Sequence, residues 1–421
     1  MPGRRGWTPQ RLACAALLIP WQETRLRAVA FDRTRAFLAG RKRWRRLPRT
    51  FTGFADALVS TQRPLAEAIW TRLRAQVRAV APDAFRQRFG DRDFLVLAAD
   101  GSRFEAPRTE ANEAAFGSAG RRGTGPQVAA TVLYHLGTGL PYAARLGAGT
   151  ASELRHLDGM LGDLPDRTLL LADAGFPHFD LLSRLDAAGC AFLMRVGADR
   201  TLLAELTACE HADGTCGGGQ QVWLWPEAKR RAGRPPLSLR AIELETDRPD
   251  VPNVYLLTNL SAADLPDERA AELYRRRWGV EVFFRTAKQT LRSRTLRSRN
   301  PARALCEAEW LILSVLLLGL LTAGAVAAAG GDPAGWSPAR SLKTVRRRLR
   351  HAVRRGGRWT RQIKSELAAC VIDRRPRRGP KRPRDRPQKK HDRPPRPPKL
   401  RPATTAERQR AQELAATKLL L

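Results

Sequence analysis

The stretch "RTLLLADAGFPHFDLLSRLDAAGCAFLMRV", residues 167–196, decides the fold. It opens on an apolar run that ends in Asp173 and closes on a second run, 190–196. Between them, 178–188 carries apolar residues at helical spacing. Short unbroken apolar runs bounded by Gly and Pro read as buried strands. Outward from here the pattern continues. Upstream, "FLVLAAD" (94–100) is another apolar run ending in an aspartate. "VAATVLYHL" (128–136) and "LPYAARLG" (140–147) form a hairpin around "GTG", and 152–164 has helical spacing with Ser152 as its cap. Downstream, "VPNVYLLTNL" (251–260) resumes the sheet and a long helix is predicted over 266–291. A hairpin followed by alternating helices and strands predicts an α/β sheet covered by helices on both faces.

Six segments follow. Residues 1–90 read as a helical N-terminal region, and 91–196 as the first part of the core. Residues 197–250 read as an insertion, 251–330 as the second part of the core with its helix, 331–372 as a helical region, and 373–421 as a tail. From 373 to 401 Pro alternates with Arg and Lys, which predicts a disordered or extended chain; 404–421 reads as a short helix. Residues 310–329 are uncharged over membrane-spanning length. Glu307 and Glu309 abut them and no other segment resembles them, so a buried core helix is favoured over a membrane span.

The chain has 421 residues, with 75 Lys and Arg against 41 Asp and Glu, a formal net charge of +34. Such an excess is self-repelling unless a polyanion shares it. Nucleic acid is the first candidate and an anionic membrane the second. The cluster "RKRWRR" (41–46) is either a solvated face or a phosphate contact. The six cysteines form no C-x-x-C pair, and Cys209 and Cys216 around His211 fit no standard zinc spacing, which reads as reduced thiols.

Asp100 and Asp173 both close apolar runs and leave into Gly-containing turns. Ligands of open α/β sheets bind beyond such strand ends. Two carboxylates brought together there repel one another unless a divalent cation lies between them. On the helix at 266–291, Tyr274, Arg277, Glu281 and Lys288 fall at about 0°, 300°, 340° and 320°, one stripe of about 60°. Glu281 has an ordinary use as an i±4 partner of Arg277 or Arg285. That leaves Tyr274 and Lys288 on the same stripe unexplained. A third carboxylate facing the other two is the arrangement for two-metal phosphoryl transfer.

The spacing Y-x2-R-x3-E-x6-K, with "AADGS" around Asp100 and "LADAGF" around Asp173, resembles the bacterial insertion-sequence transposases with a DDE catalytic core, the cut-and-paste Tn5/Tn10-like group. The resemblance covers about residues 90–325. It implies an RNase H-like fold with a mostly β insertion at 197–250. It implies Asp100, Asp173 and Glu281 as catalytic ligands of Mg2+ or Mn2+, two ions per site. Tyr274, Arg277 and Lys288, with Arg285, are implied to contact DNA, and the helical region 1–90 is implied to bind it too. Arg195 faces DNA or forms a salt bridge. Trp223 or Trp225 either stacks on a flipped base, worth ~1–3 kcal/mol, or packs into a small core.

The implied partners are double-stranded DNA, as terminal inverted repeats and target, and a second copy of the chain holding the other end. The implied setting is the bacterial cytoplasm, at the nucleoid, with no membrane. The rival readings are a nuclease or resolvase without strand transfer, and a non-catalytic basic DNA-binding protein.

Overall fold

The computed structural model describes residues 6–24, 26–40, 47–117, 125–204, 220–245, 253–355, 360–372 and 397–419. The basic cluster 41–46, the Cys209–His211–Cys216 loop and the tail over 373–396 lie outside the described residues. Helices are α1 (Pro9–Leu18), α2 (Arg27–Ala39), α3 (Phe51–Val80), α4 (Pro82–Phe85), α5 (Glu110–Phe116), α6 (Glu153–Asp158), α7 (Phe179–Ala187), α8 (Glu227–Arg231), α9 (Asp267–Arg276), α10 (Gly279–Arg285), α11 (Pro301–Ala328), α12 (Pro338–Arg355), α13 (Thr360–Ala368) and α14 (Thr405–Leu419). Strands are β1 (Gln87–Phe89), β2 (Arg92–Glu105), β3 (Gln127–His135), β4 (Leu140–Ala148), β5 (Thr168–Ala172), β6 (Ala191–Val196), β7 (Thr201–Ala204), β8 (Gln220–Leu224), β9 (Leu237–Leu244), β10 (Val254–Thr258) and β11 (Lys399–Pro402). The chain divides into two compact units interleaved along the sequence: Met1–Gln87, Leu97–Met160 and Trp278–Asp373 form the first, and Arg88–Val96, Leu161–Arg277 and Arg374–Leu421 the second.

The first unit is organised by α11. Sixteen of its 28 residues are buried, on all sides. A helix with no polar face must be enclosed, and α1, α3, α12, α13 and the β3–β4 hairpin enclose it. Its few polar groups are matched. Ser314 Oγ donates to Leu17 O at 2.9 Å, and Trp21 Nε1 donates to Ser314 O at 3.2 Å. Glu309 accepts from Gln62 Nε2 at 2.5 Å and Trp70 Nε1 at 3.3 Å, and burial pushes its carboxyl pKa up. The apolar run is thus taken up by protein, as the flanking glutamates predicted.

Beside it, β2 pairs antiparallel with β3, from Leu97↔His135 to Glu105↔Gln127, and β3 with β4. Strand alternation separates the two faces. Val128, Ala130 and Val132 join the core around α11. On the other face, Thr131 Oγ1 lies 3.1 Å from His156 Nδ1 of α6. Helices therefore cover both faces.

In the second unit β5 and β6 run parallel and α7 connects them. Strands β10, β9, β8 and β7 then follow antiparallel, with β11 parallel to β7 at the edge. Antiparallel strands in the first unit and a parallel pair joined by a helix in the second make up the mixed α/β class that the sequence predicts. Among its described residues the insertion is half strand, in β7, β8 and β9, with the short helix α8 between β8 and β9.

Three readings change. Strand β2 does not end at Asp100; it continues through "GS" to Glu105, because every residue as far as Glu105 has a partner on β3. Gly101 serves a close approach rather than a turn, since a Cβ there would lie 2.2 Å from Glu153 Cδ. The helix of 266–291 is three pieces: α9, α10 and a π-helical turn, Thr286–Thr290. The end of the basic tail is ordered too. Lys399–Pro402 adds to β7, and Glu407 accepts from Arg401 and Arg230. Main-chain pairing needs no apolar composition, so a Pro/Arg pattern does not reveal it.

The enclosure of α11 makes a direct prediction. Leu313, fully buried, should lose about 2–5 kcal/mol of stability as Leu313→Ala in urea unfolding. A loss below about 1 kcal/mol would mean that its surroundings are not packed.

Candidate active site

The first unit carries Asp100, Glu281 and Lys288. Asp100 sits mid-strand, so Ser102 and Phe104 share its face. Its Oδ1 accepts from the Gly101 N–H at 2.8 Å. Lys288 comes from the π-helical turn. Its Nζ donates to Ser102 Oγ at 2.5 Å and stands 5.5 Å from the centre of the Phe104 ring. A π turn inserts an extra residue and re-aims a side chain; here it turns Lys288 onto the sheet. Burial is the main force lowering the Lys288 pKa. Arg294 and Arg103 push the same way, and Glu105 and Asp100 oppose them. The lysine is therefore close enough to Asp100 to feel its charge. Loop 294–296 clasps the end of β2: Glu105 pairs with Arg294 at 3.1 Å and accepts from Thr295 Oγ1 at 3.0 Å.

Glu281 lies in the first turn of α10, half-buried. This helix rests on β3, with Phe283 and Tyr134 ring centres 6.5 Å apart. Gly279 permits that contact, because a Cβ would stand 2.7 Å from Tyr134 Cε1. Strand β3 is in turn paired with β2 at Asp100↔Val132. Arg285, at the end of α10, is exposed.

The second unit carries Asp173, Arg195, Tyr274 and Arg277. Asp173 leaves β5 as predicted, into a turn in which its Oδ1 accepts from the Gly175 N–H at 3.0 Å. The Tyr274 phenol is pushed up mainly by burial; Arg277 and Arg195 hold it down and Asp173 raises it, so the four groups converge. The Arg277 guanidinium lies 5.2 Å from the Tyr274 ring centre. Arg240, 3% exposed on β9, anchors α9 by binding the Asp267 carboxylate and the Leu260 and Leu265 carbonyls.

The four-residue pattern is thus divided. Tyr274 and Arg277 accompany the second aspartate in one unit, and Glu281 and Lys288 accompany the first in the other. Among the described residues no three His, Cys, Asp or Glu side chains stand as a ready cation cluster. Asp100, Asp173 and Glu281 are each carboxylates, the oxygen chemistry that suits a hard divalent cation.

Trp223 and Trp225 are 8% and 3% exposed, packed edge to face at 6.1 Å, and Trp225 Nε1 donates to Arg234 O at 2.7 Å. As they stand, both rings are core, and stacking on a base requires uncovering one. Sequence reading missed Ser102, Glu105 and Arg240. Ser102 was two residues past a strand end placed too early, and nothing in the pattern marks Arg240 as buried.

Comparison with known proteins follows the same blocks. Residues 91–317 match the family described as "Transposase DDE domain". The chain is 30% identical over 216 residues to the transposase InsG for insertion sequence element IS4 of Escherichia coli (strain K12), a match covering 49% of this chain and 47% of that protein. The chain therefore spans about half the length of that relative. Among solved structures, a cryo-EM structure of a piggyBac transposase synaptic complex with hairpin DNA aligns over 89% of this chain and 79% of that one, at 12% identity and a TM-score of 0.41.

Two titrations check the site's electrostatics. Asp100→Asn removes a charge that supports the Lys288 ammonium, so Lys288 should titrate lower still, read by NMR of its side chain. An unchanged or raised value would separate the two groups. Arg277→Gln should raise the Tyr274 pKa further in an ultraviolet titration, with Tyr274→Phe assigning the signal; a fall would contradict the convergence described.

Proposed function

Because the chain belongs to the transposase DDE domain family, we propose that it cuts DNA at the ends of a mobile element and joins the freed 3′-hydroxyl to target DNA. The family match over 91–317 carries the reading, since it encloses Asp100, Asp173, Tyr274, Arg277, Glu281 and Lys288. Asp100, Asp173 and Glu281 would hold Mg2+ or Mn2+, two ions per site. Bound there, such ions lower the pKa of the attacking water or hydroxyl and stabilise the leaving oxygen.

The chain's own groups do the rest. Lys288, fixed by Ser102 beside Asp100, offers a cation to a phosphate next to the scissile bond. Its lowered pKa reflects burial that a bound phosphate would compensate. Tyr274, Arg277 and Arg195 supply a second donor group beside Asp173. Arg285 is exposed and available to the backbone. Catalysis of this kind rests on positioning and charge stabilisation rather than on a covalent enzyme intermediate.

The finer course of the reaction belongs to the same proposal. It comprises end hydrolysis, a hairpin made by the freed hydroxyl, its reopening and cut-and-paste strand transfer. The substrates are terminal inverted repeats and target duplex, held by two copies of the chain at the nucleoid of a bacterial cytoplasm.

The test incubates the full chain with Mg2+ and linear DNA bearing the element's ends and flanks. End-specific nicks, hairpins and joined products are expected. Random nicks alone would make it a nuclease without strand transfer. Glu281→Gln should lower cleavage at least about 10³-fold, the equivalent of several kcal/mol of lost transition-state stabilisation, with duplex binding retained. Cleavage persisting in that variant would remove Glu281 from the triad.

A further inference from the structure

The first unit also carries a basic groove that the proposed chemistry does not use. Two cavities, of about 270 and 530 Å³, share Gln22, Glu23 and Arg346 in their walls. Arg27, Arg292 and Arg297 line the first, with Glu307; Arg33 and Arg350 line the second, beside α2 and α12. Six arginines thus line the two cavities against two glutamates, with apolar side chains such as Phe54, Leu58 and Trp310 completing the wall of the first.

Those two carboxylates are engaged. Glu307 pairs with Arg27 at 3.0 Å and accepts from the N–H groups of Arg297 and Ser298, each at 3.0 Å. Glu23 pairs with Arg350 at 2.8 Å. Arg346, at the junction, is held by carbonyls instead: its Nε donates to Trp21 O at 2.8 Å and its NH2 to Gln22 O at 3.4 Å. Carbonyls fix a guanidinium without neutralising it. Burial lowers the Arg346 pKa most, Arg292 and Arg350 add to the effect, and Glu23 opposes it.

A second feature is conformational. Arg292 has φ +56°, in the left-handed region that side chains other than glycine rarely adopt. It lies just beyond the π-helical turn, so two irregularities in a row bring an exposed arginine to the groove wall. Such strain persists where the surroundings impose it, and it clusters at functional positions.

We propose that this groove binds the sugar–phosphate backbone of duplex DNA, outside the segment cut by the carboxylates; the choice of DNA rests on the transposase reading. A single small anion would meet only part of a wall that runs through both cavities. A polyanion meets all of it and gains from each counterion released. A concave wall also fits the ridge of a backbone better than a flat anionic membrane.

The test measures affinity of the full chain for a short duplex of arbitrary sequence, across a salt series and without divalent ions. The double variant Arg33→Gln/Arg350→Gln should bind roughly tenfold more weakly, with a salt slope shallower by about two. Arg292→Gly should weaken binding while raising the melting temperature, because glycine accepts the left-handed backbone. Binding and slope equal to the parent's in both variants would overturn the proposal. So would variants that lose adsorption to anionic lipid vesicles but keep DNA affinity. Because no cutting is measured, absence of end-specific cleavage by the parent would defeat the transposase reading alone and leave the groove to be judged by these slopes.

Discussion

A helix of 28 residues that is apolar on every side cannot lie on a surface. Burying α11 is the constraint on which the first unit is built. Its burial requires a ring of partners: α1 and α3 on the N-terminal side of the sequence, α12 and α13 on the C-terminal side, and the β3–β4 hairpin between them. Segments more than 200 residues apart in the chain thereby become neighbours. The two glutamates near its start follow the same logic. Glu307 and Glu309 are too close to the core to remain unpaired, so Arg27 and two backbone amides hold one, and Gln62 and Trp70 hold the other.

That scaffold bears on the chemistry through the segment just before α11. The π-helical turn and loop 291–299 lead from α10 into α11, and loop 294–296 is pinned to the end of β2 by Glu105. With both ends of the segment fixed, the extra residue in the turn has to be absorbed locally. The result is a lysine rotated onto the sheet beside Asp100 and an arginine left at positive φ. Burial lowers the pKa of that lysine, and the carboxylates of Glu105 and Asp100 oppose the shift.

Charge is organised rather than spread. The chain's excess of +34 includes arginines bound in ion pairs that build the fold, among them Arg240 with Asp267 and Arg401 with Glu407. Others are held by carbonyls or by the backbone path, as Arg346 and Arg292 are, which preserves their charge. The first kind stabilises the protein, and the second keeps positive potential at chosen places. Composition counts both kinds alike.

The sequence by itself determined the class of fold, the strand and helix order of 167–196, the hairpin at 128–147, the burial of 310–329, and the turn that presents Asp173. Each is local: periodicity, an apolar run or a Gly-bearing turn is set by neighbours along the chain. It also supplied the spacing that singles out Tyr274, Arg277, Glu281 and Lys288. Tertiary structure decided the rest. Whether β2 stops at "GS" depends on a partner strand thirty residues away. Whether the signature helix stays regular depends on what pins its far end. Whether Trp223 and Trp225 are core or contact depends on the strands around them. These outcomes turn on long-range packing and pairing, which a pattern of residue types does not encode, because the same types serve equally well with either set of neighbours.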